Sequence, residues 1–167
     1  AQFVFTNTLK PSFRLVKLDS YSGLGLAGAT FRIAQIEDGS HYLDRVTDTK
    51  GEINISDLEP GIYSVVEMDA PEGYVKDSRE YHVELFPGQN SELVVSNDRM
   101  PNLEILKTDA ITGKPVAGVT FTVKRVDSST LTTVTSDGNG RCYLEKLMPG
   151  VYEIWEQSVP DGYLLNE

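Results

Sequence analysis

The chain has 167 residues, one cysteine and a formal net charge of −10. That acidity argues against nucleic acid or an anionic membrane surface as a partner, and fits a well-solvated protein surface. The lone Cys142 excludes an intramolecular disulfide. His41 and His82 stand in no metal-ligand spacing, and no metal or cofactor is expected. No stretch of these residues reads as a signal peptide or as an apolar run long enough to span a bilayer as a helix, which in an apparent fragment says little about targeting.

In chain order, the first segment is Phe3-Val4-Phe5-Thr6-Asn7. Short alternating stretches then predict strands near residues 12–18, 29–36, 41–47, 52–56, 61–68, 79–86 and 91–97. Turn signals separate them at Ser22-Gly23, Asp38-Gly39, Lys50-Gly51, Pro60-Gly61, Glu72-Gly73 and Pro87-Gly88. The pattern then restarts, with strands expected near 102–108, 119–126, 131–135, 141–145 and 150–157. Asp137-Gly138-Asn139-Gly140 lacks the alternating carboxylates of a calcium loop and reads as a hairpin turn. Many short strands with frequent turns predict an all-β sandwich, twice over.

The restart is a true repeat. Phe13-Arg14-Leu15-Val16-Lys17-Leu18-Asp19 is matched by Leu103-Glu104-Ile105-Leu106-Lys107-Thr108-Asp109, about 90 residues on. Pro60-Gly61-Ile62-Tyr63 leads to Glu67 as Pro149-Gly150-Val151-Tyr152 leads to Glu156. Leu93-Val94-Val95-Ser96-Asn97 closes the first copy, and Phe3-Val4-Phe5-Thr6-Asn7 has the same character. The expected layout is therefore a trailing strand of a preceding repeat at 1–9, a first domain at 10–98, a linker at 99–101 and a second domain at 102–167. That second copy lacks a counterpart of its last strand, because Asn166 aligns with Asp77 rather than with Asn97. The short linker predicts repeats stacked as a fairly stiff rod.

Side chains alternate faces along a strand, so parity identifies neighbours. Phe13, Leu15 and Lys17 share a face, as do Leu103, Ile105 and Lys107; so do Tyr63, Val65 and Glu67, Tyr152, Ile154 and Glu156, and Leu93, Val95 and Asn97. In each case an apolar row ends in one polar residue. If Lys17, Glu67 and Asn97 meet inside a sandwich, desolvation favours a neutral amine and a protonated carboxyl group. The amine can then attack the carboxamide carbon of Asn97 while the carboxyl group shuttles protons, giving a Lys–Asn isopeptide bond and ammonia. A buried Lys–Glu ion pair with Asn as hydrogen-bond partner uses the same residues, and parity alone does not choose between them.

Val16-Lys17-Leu18-Asp19, Leu26-Ala27-Gly28-Ala29-Thr30-Phe31, Gly61-Ile62-Tyr63 leading to Glu67, and Ala70-Pro71-Glu72-Gly73-Tyr74 together resemble the Cna B-type (CnaB) domain. These are repeated stalk modules of Gram-positive surface adhesins and pilins. The resemblance implies tandem transthyretin-like, reverse immunoglobulin-like β-sandwiches on an extracellular, cell-wall-anchored protein. It also implies a cross-link between Lys17 and Asn97, with Glu67 as catalytic carboxyl group. In the second copy Lys107 and Glu156 match, while the acceptor Asn has no counterpart in register. The implied partners are neighbouring repeats. Head-to-tail self-association through residues 1–9, joining Lys107 to Asn7 of another copy, is a further expectation. The competing expectation is an extracellular carbohydrate- or peptide-binding module using Tyr21, Tyr42, Tyr81 or Trp155. No Gly-x-Ser-x-Gly elbow or His-based triad supports a hydrolase.

Overall fold

The computed structural model describes residues 2–39 and 41–166. The chain divides into two compact units, residues 1–99 and 100–167. In the first, seven strands form: β1 (Ser12–Asp19), β2 (Thr30–Gln35), β3 (Tyr42–Val46), β4 (Glu52–Ile55), β5 (Gly61–Asp69), β6 (Glu80–Leu85) and β7 (Asn90–Asn97). They assemble as two sheets with strand orders β4-β1-β7 and β3-β2-β5-β6. β1 and β4 are antiparallel, whereas β1 and β7 run parallel.

Alternation builds the sandwich. In β1 every second residue from Phe13 to Asp19 is buried, and in β5 the buried set is Tyr63, Val65 and Glu67. These rows face each other across a core that includes Leu15, Phe31, Ile33, Val65, Leu85 and Val95. Burying a side chain of this size is worth about 1.5–3 kcal/mol.

One close approach fixes the backbone at the end of β1. The Lys17 N–H donates to the Gly51 carbonyl at 2.7 Å, and the Lys17 carbonyl accepts from the Leu26 N–H at 2.8 Å. Gly51 has φ +81°, and a Cβ there would lie 2.4 Å from the Lys17 carbonyl oxygen. Only glycine fits both constraints.

The second unit contains β8 (Leu103–Leu106), β9 (Thr120–Arg125), β10 (Leu131–Thr135), β11 (Arg141–Leu144) and β12 (Tyr152–Ser158). Its sheets are β11-β8 and β10-β9-β12. Local devices recur from unit to unit. The Thr47 hydroxyl accepts from the Ala29 N–H and donates to the Leu26 carbonyl, as Ser136 does between Val119 and Val116. Asp137 accepts from the Asn139 and Arg141 N–H groups in a hairpin turn, like Asp48 with Lys50 and Glu52.

The second core is smaller, built on Val116, Val119, Phe121 and Cys142. Here one expectation needs correction. Ile154, assigned by parity to the inward row, is 42 % exposed, where its counterpart Val65 is 0 % exposed. The sheet carrying β8 has two strands rather than three, so less surface covers that row. Residues 2–9, read as a strand, take no strand here, and Phe3, Phe5 and Asn7 are exposed. The chain is anchored from Leu9, whose carbonyl accepts from the Gly88 N–H at 2.7 Å.

Candidate functional site: a buried lysine, glutamate and asparagine

The three polar residues singled out by parity meet in the first unit. Lys17, Glu67 and Asn97 are 0 %, 1 % and 2 % exposed, among the most buried side chains described. Lys17 Nζ donates to Asn97 Oδ1. It also lies 3.2 Å from Glu67 Oε1. Asn97 Nδ2 donates to Glu67 Oε1 at 2.8 Å and to Oε2 at 3.1 Å. Each group therefore touches the other two, in a closed triangle.

Register explains the meeting. Lys17 pairs with Val95 and Asp19 with Asn97 along the parallel β1–β7 ladder. Asn97 is thus the diagonal neighbour of Lys17 on the same face, within reach of a long side chain. Glu67 comes from the opposite sheet, where it pairs with Phe31. The Phe31 ring lies 5.5 Å from Nζ and walls the amine from water.

Electrostatics follow from burial. Desolvation pushes the Lys17 pKa down, opposed by the Glu67 carboxylate. Loss of water stabilises the neutral amine, the nucleophilic form. Beside the cluster a cleft of about 300 Å³ is lined by residues that include Val75, Asp77, Asn97 and Asp98.

Parity did not reveal the residues that hold this cluster in place. Asp19 is buried at the end of the β1 row and accepts from the Tyr21 and Ser22 N–H groups, the Tyr74 hydroxyl and Arg99 Nε. The Ser22 N–H, Arg99 and Tyr74 hold its carboxyl group well below the usual carboxylate range. Its neighbour Ser20 donates its N–H to the Asn97 carbonyl at 3.0 Å. This clamp locks the end of β7, and so Asn97, against β1. The signal was present in the sequence: Asp19 ends the same alternating row, and Tyr74 sits in a loop that occurs twice. Asp77 was missed for a different reason, since it acts through its backbone. Its N–H donates to Glu67 Oε2 at 2.6 Å.

In the second unit Lys107 Nζ lies 2.6 Å from Glu156 Oε1, with side chains 23 % and 5 % exposed. Burial alone would raise the Glu156 pKa, but Lys107 and the Asn166 N–H outweigh it and lower it. Asn166 donates its N–H to Glu156 Oε2 at 2.9 Å, the position Asp77 takes toward Glu67. Among the described residues no carboxamide side chain completes a triangle with Lys107 and Glu156, and Asn7 belongs to the other unit. Of the aromatic residues expected as ligand-stacking candidates, Tyr42 carries the Arg32 guanidinium over one ring face at 3.9 Å and is otherwise exposed. The Tyr81 hydroxyl donates to Asp77.

This all-β sandwich with the Lys–Glu–Asn triangle across its two sheets defines a CnaB-type domain. The chain belongs to the SpaA family, described as a prealbumin-like fold domain, whose sequence profile matches residues 11–99 and again 101–167. Among solved structures, it is similar to a streptococcal ancillary pilin at 25 % identity and TM-score 0.57, covering 96 % of this chain and 57 % of that one. It is also similar to the Bacillus anthracis TIE protein at 28 % identity and TM-score 0.55, covering 96 % of this chain and 30 % of that one. The shaft pilin SpaA of Lactobacillus rhamnosus GG shares the fold, with TM-score 0.54 at 16 % identity, covering 95 % of this chain and 91 % of that one. The chain spans little more than half of the ancillary pilin and under a third of the TIE protein. No curated protein sequence matches it.

Proposed function

We propose that this chain is a structural stalk segment of a Gram-positive cell-surface adhesin or pilin, stabilised by a self-formed isopeptide bond between Lys17 and Asn97. The fold family and the pilin relatives support the structural role. The observation that carries the bond is the fully buried triangle of amine, carboxyl group and carboxamide.

The chemistry balances within the cluster. A proton passes from the Lys17 ammonium to Glu67, leaving an amine and a carboxylic acid. Nζ attacks Asn97 Cγ, and a second Nζ proton passes through the carboxyl group to Nδ2. The Cγ–Nδ2 bond breaks and ammonia leaves, by way of the adjacent cleft. The products are a Lys–Asn amide, one ammonia and a Glu67 that remains protonated. The reaction occurs once per domain and has no turnover.

The mechanical consequence follows from topology. A link across 80 residues of sequence joins the first strand to the last. By analogy with disulfide closure it removes about 4–5 kcal/mol of unfolded-chain entropy. Tension entering through β1 crosses at Lys17 and leaves at Asn97, bypassing everything between. In the second unit the Lys107–Glu156 pair fits the same chemistry, with Asn7 of a second copy as candidate carboxamide donor. Denaturing electrophoresis tests that self-association: it requires a ladder of covalent oligomers, and a single monomer band excludes it. For the Lys17–Asn97 bond the test is intact mass, which falls by roughly 17 Da with loss of ammonia.

A further inference from the structure

The loop joining β5 to β6 runs from residue 70 to 79 and passes directly over the carboxyl group of Glu67. It is pinned on both sides. The Val75 N–H donates to the Asp98 carbonyl at 2.8 Å, tying the loop to the chain just beyond Asn97. The Asp77 carboxylate accepts from the Arg79 N–H at 3.0 Å, from Arg79 Nε at 2.9 Å and from the Tyr81 hydroxyl at 2.7 Å. Held this way, the Asp77 N–H points at Glu67 Oε2, 2.6 Å away. The second unit repeats the device ten residues beyond its own glutamate, where the Asn166 N–H meets Glu156 Oε2 at 2.9 Å. The side chain differs between the two units. The backbone donor and the oxygen it meets do not.

We infer that the Asp77 backbone N–H is a positioning group that divides the work of the Glu67 carboxyl group, holding Oε2 as a fixed acceptor so that Oε1 alone carries the mobile proton. In a carboxylic acid the carbonyl oxygen is the better acceptor and the other oxygen bears the hydrogen. With an N–H bonded to Oε2, the proton is placed on Oε1. Oε1 is the oxygen that faces Lys17 Nζ, at 3.2 Å, and the nearer of the two to Asn97 Nδ2, at 2.8 Å against 3.1 Å for Oε2, and these are the atoms between which the proton must travel. The same bond stops the carboxyl group from rotating, so its orientation is set before reaction rather than during it. This inference rests on the bond-forming reading above and adds to it a requirement for one main-chain donor outside the triangle.

The test compares Asp77→Pro with Asp77→Ala. Both remove the carboxylate, but only proline removes the N–H. After a short expression pulse, intact mass follows the fraction of chains that have lost ammonia from the Lys17–Asn97 pair. Asp77→Ala keeps the N–H and the Val75–Asp98 tie but loses the Arg79 and Tyr81 contacts, so it is expected to form the bond more slowly than wild type. Asp77→Pro is expected to be slower than Asp77→Ala by about tenfold, the effect of losing one buried hydrogen bond. An ester in place of the 76–77 peptide amide, introduced by semisynthesis, removes the same hydrogen and keeps the aspartate side chain. It covers the case in which the proline chain does not fold, and is expected to be slower than wild type by the same factor. Equal rates for the proline chain and Asp77→Ala overturn the positioning role while leaving the bond intact, because the side chain is then the active element. Equal rates for the ester chain and wild type overturn it too. A wild-type chain with no mass loss overturns both this inference and the reading beneath it.

Discussion

Asn97 lies diagonally ahead of Lys17 on a parallel neighbour, paired not with the lysine but with Asp19 two residues further along β1. That offset puts the carboxamide within reach of the long lysine side chain, with Glu67 closing the site from the facing sheet. A lysine directly opposite the asparagine would have to fold back on itself. The diagonal relationship thus decides the reach, and the burial decides the reactivity.

Removing the nucleophile tests the tether. Lys17→Ala leaves a chain of unreduced mass after correction for the substitution. Its unfolding free energy falls by about 4 kcal/mol or more, combining the lost loop constraint with a buried carboxyl group left without its partner. Denaturant unfolding monitored by tryptophan-independent circular dichroism checks this, together with mass.

Replacing the proton carrier separates folding from chemistry. Glu67→Gln keeps the volume and can still hydrogen-bond Asn97, so the sandwich forms. It cannot take a proton from Lys17, so ammonia is retained. A folded Glu67→Gln chain that still loses ammonia removes the glutamate from the mechanism.

Much of this was readable in the sequence, and the reasons are physical. β1, β5 and β7 each bury one face, so alternation alone places Lys17, Glu67 and Asn97 on inward rows. Asp19 was passed over although it ends the same row as Lys17, because a buried aspartate looks like a turn residue until its partners Tyr74 and Arg99 are seen. Asp77 was not readable at all: a backbone N–H has no signature in residue identity. Parity misjudged Ile154, since alternation says which way a side chain points and not how much protein lies over it.

The Asp19 clamp predicts an acid-sensitive fold. Its folded pKa is depressed below the unfolded value of about 3.9, so its contribution is complete above that pH and is lost as pH falls through the folded value. Asp77, lowered to about 2 where Arg79 and Tyr81 outweigh its desolvation, behaves in the same direction. Asp19→Asn should therefore lower the melting temperature at pH 7, and the gap to wild type should narrow toward pH 2. A gap that widens in acid contradicts the assignment.

Gly51 is predicted to be intolerant. Gly51→Ala places a Cβ 2.4 Å from the Lys17 carbonyl in a left-handed conformation, so the end of β1 must shift. The expected cost is about 2 kcal/mol or more, read as a lower midpoint in urea. Gly140→Ala, against the Lys107 carbonyl at 2.3 Å, should behave alike in the second unit.

The central claim is that an amine and a carboxamide, shut away from water on adjacent strands, have joined. Tryptic digestion of the purified chain followed by tandem mass spectrometry reads it directly. The account predicts a branched peptide linking the segments that contain Lys17 and Asn97, lighter than their sum by one ammonia. Recovery of those two segments only as separate linear peptides of full mass would contradict it.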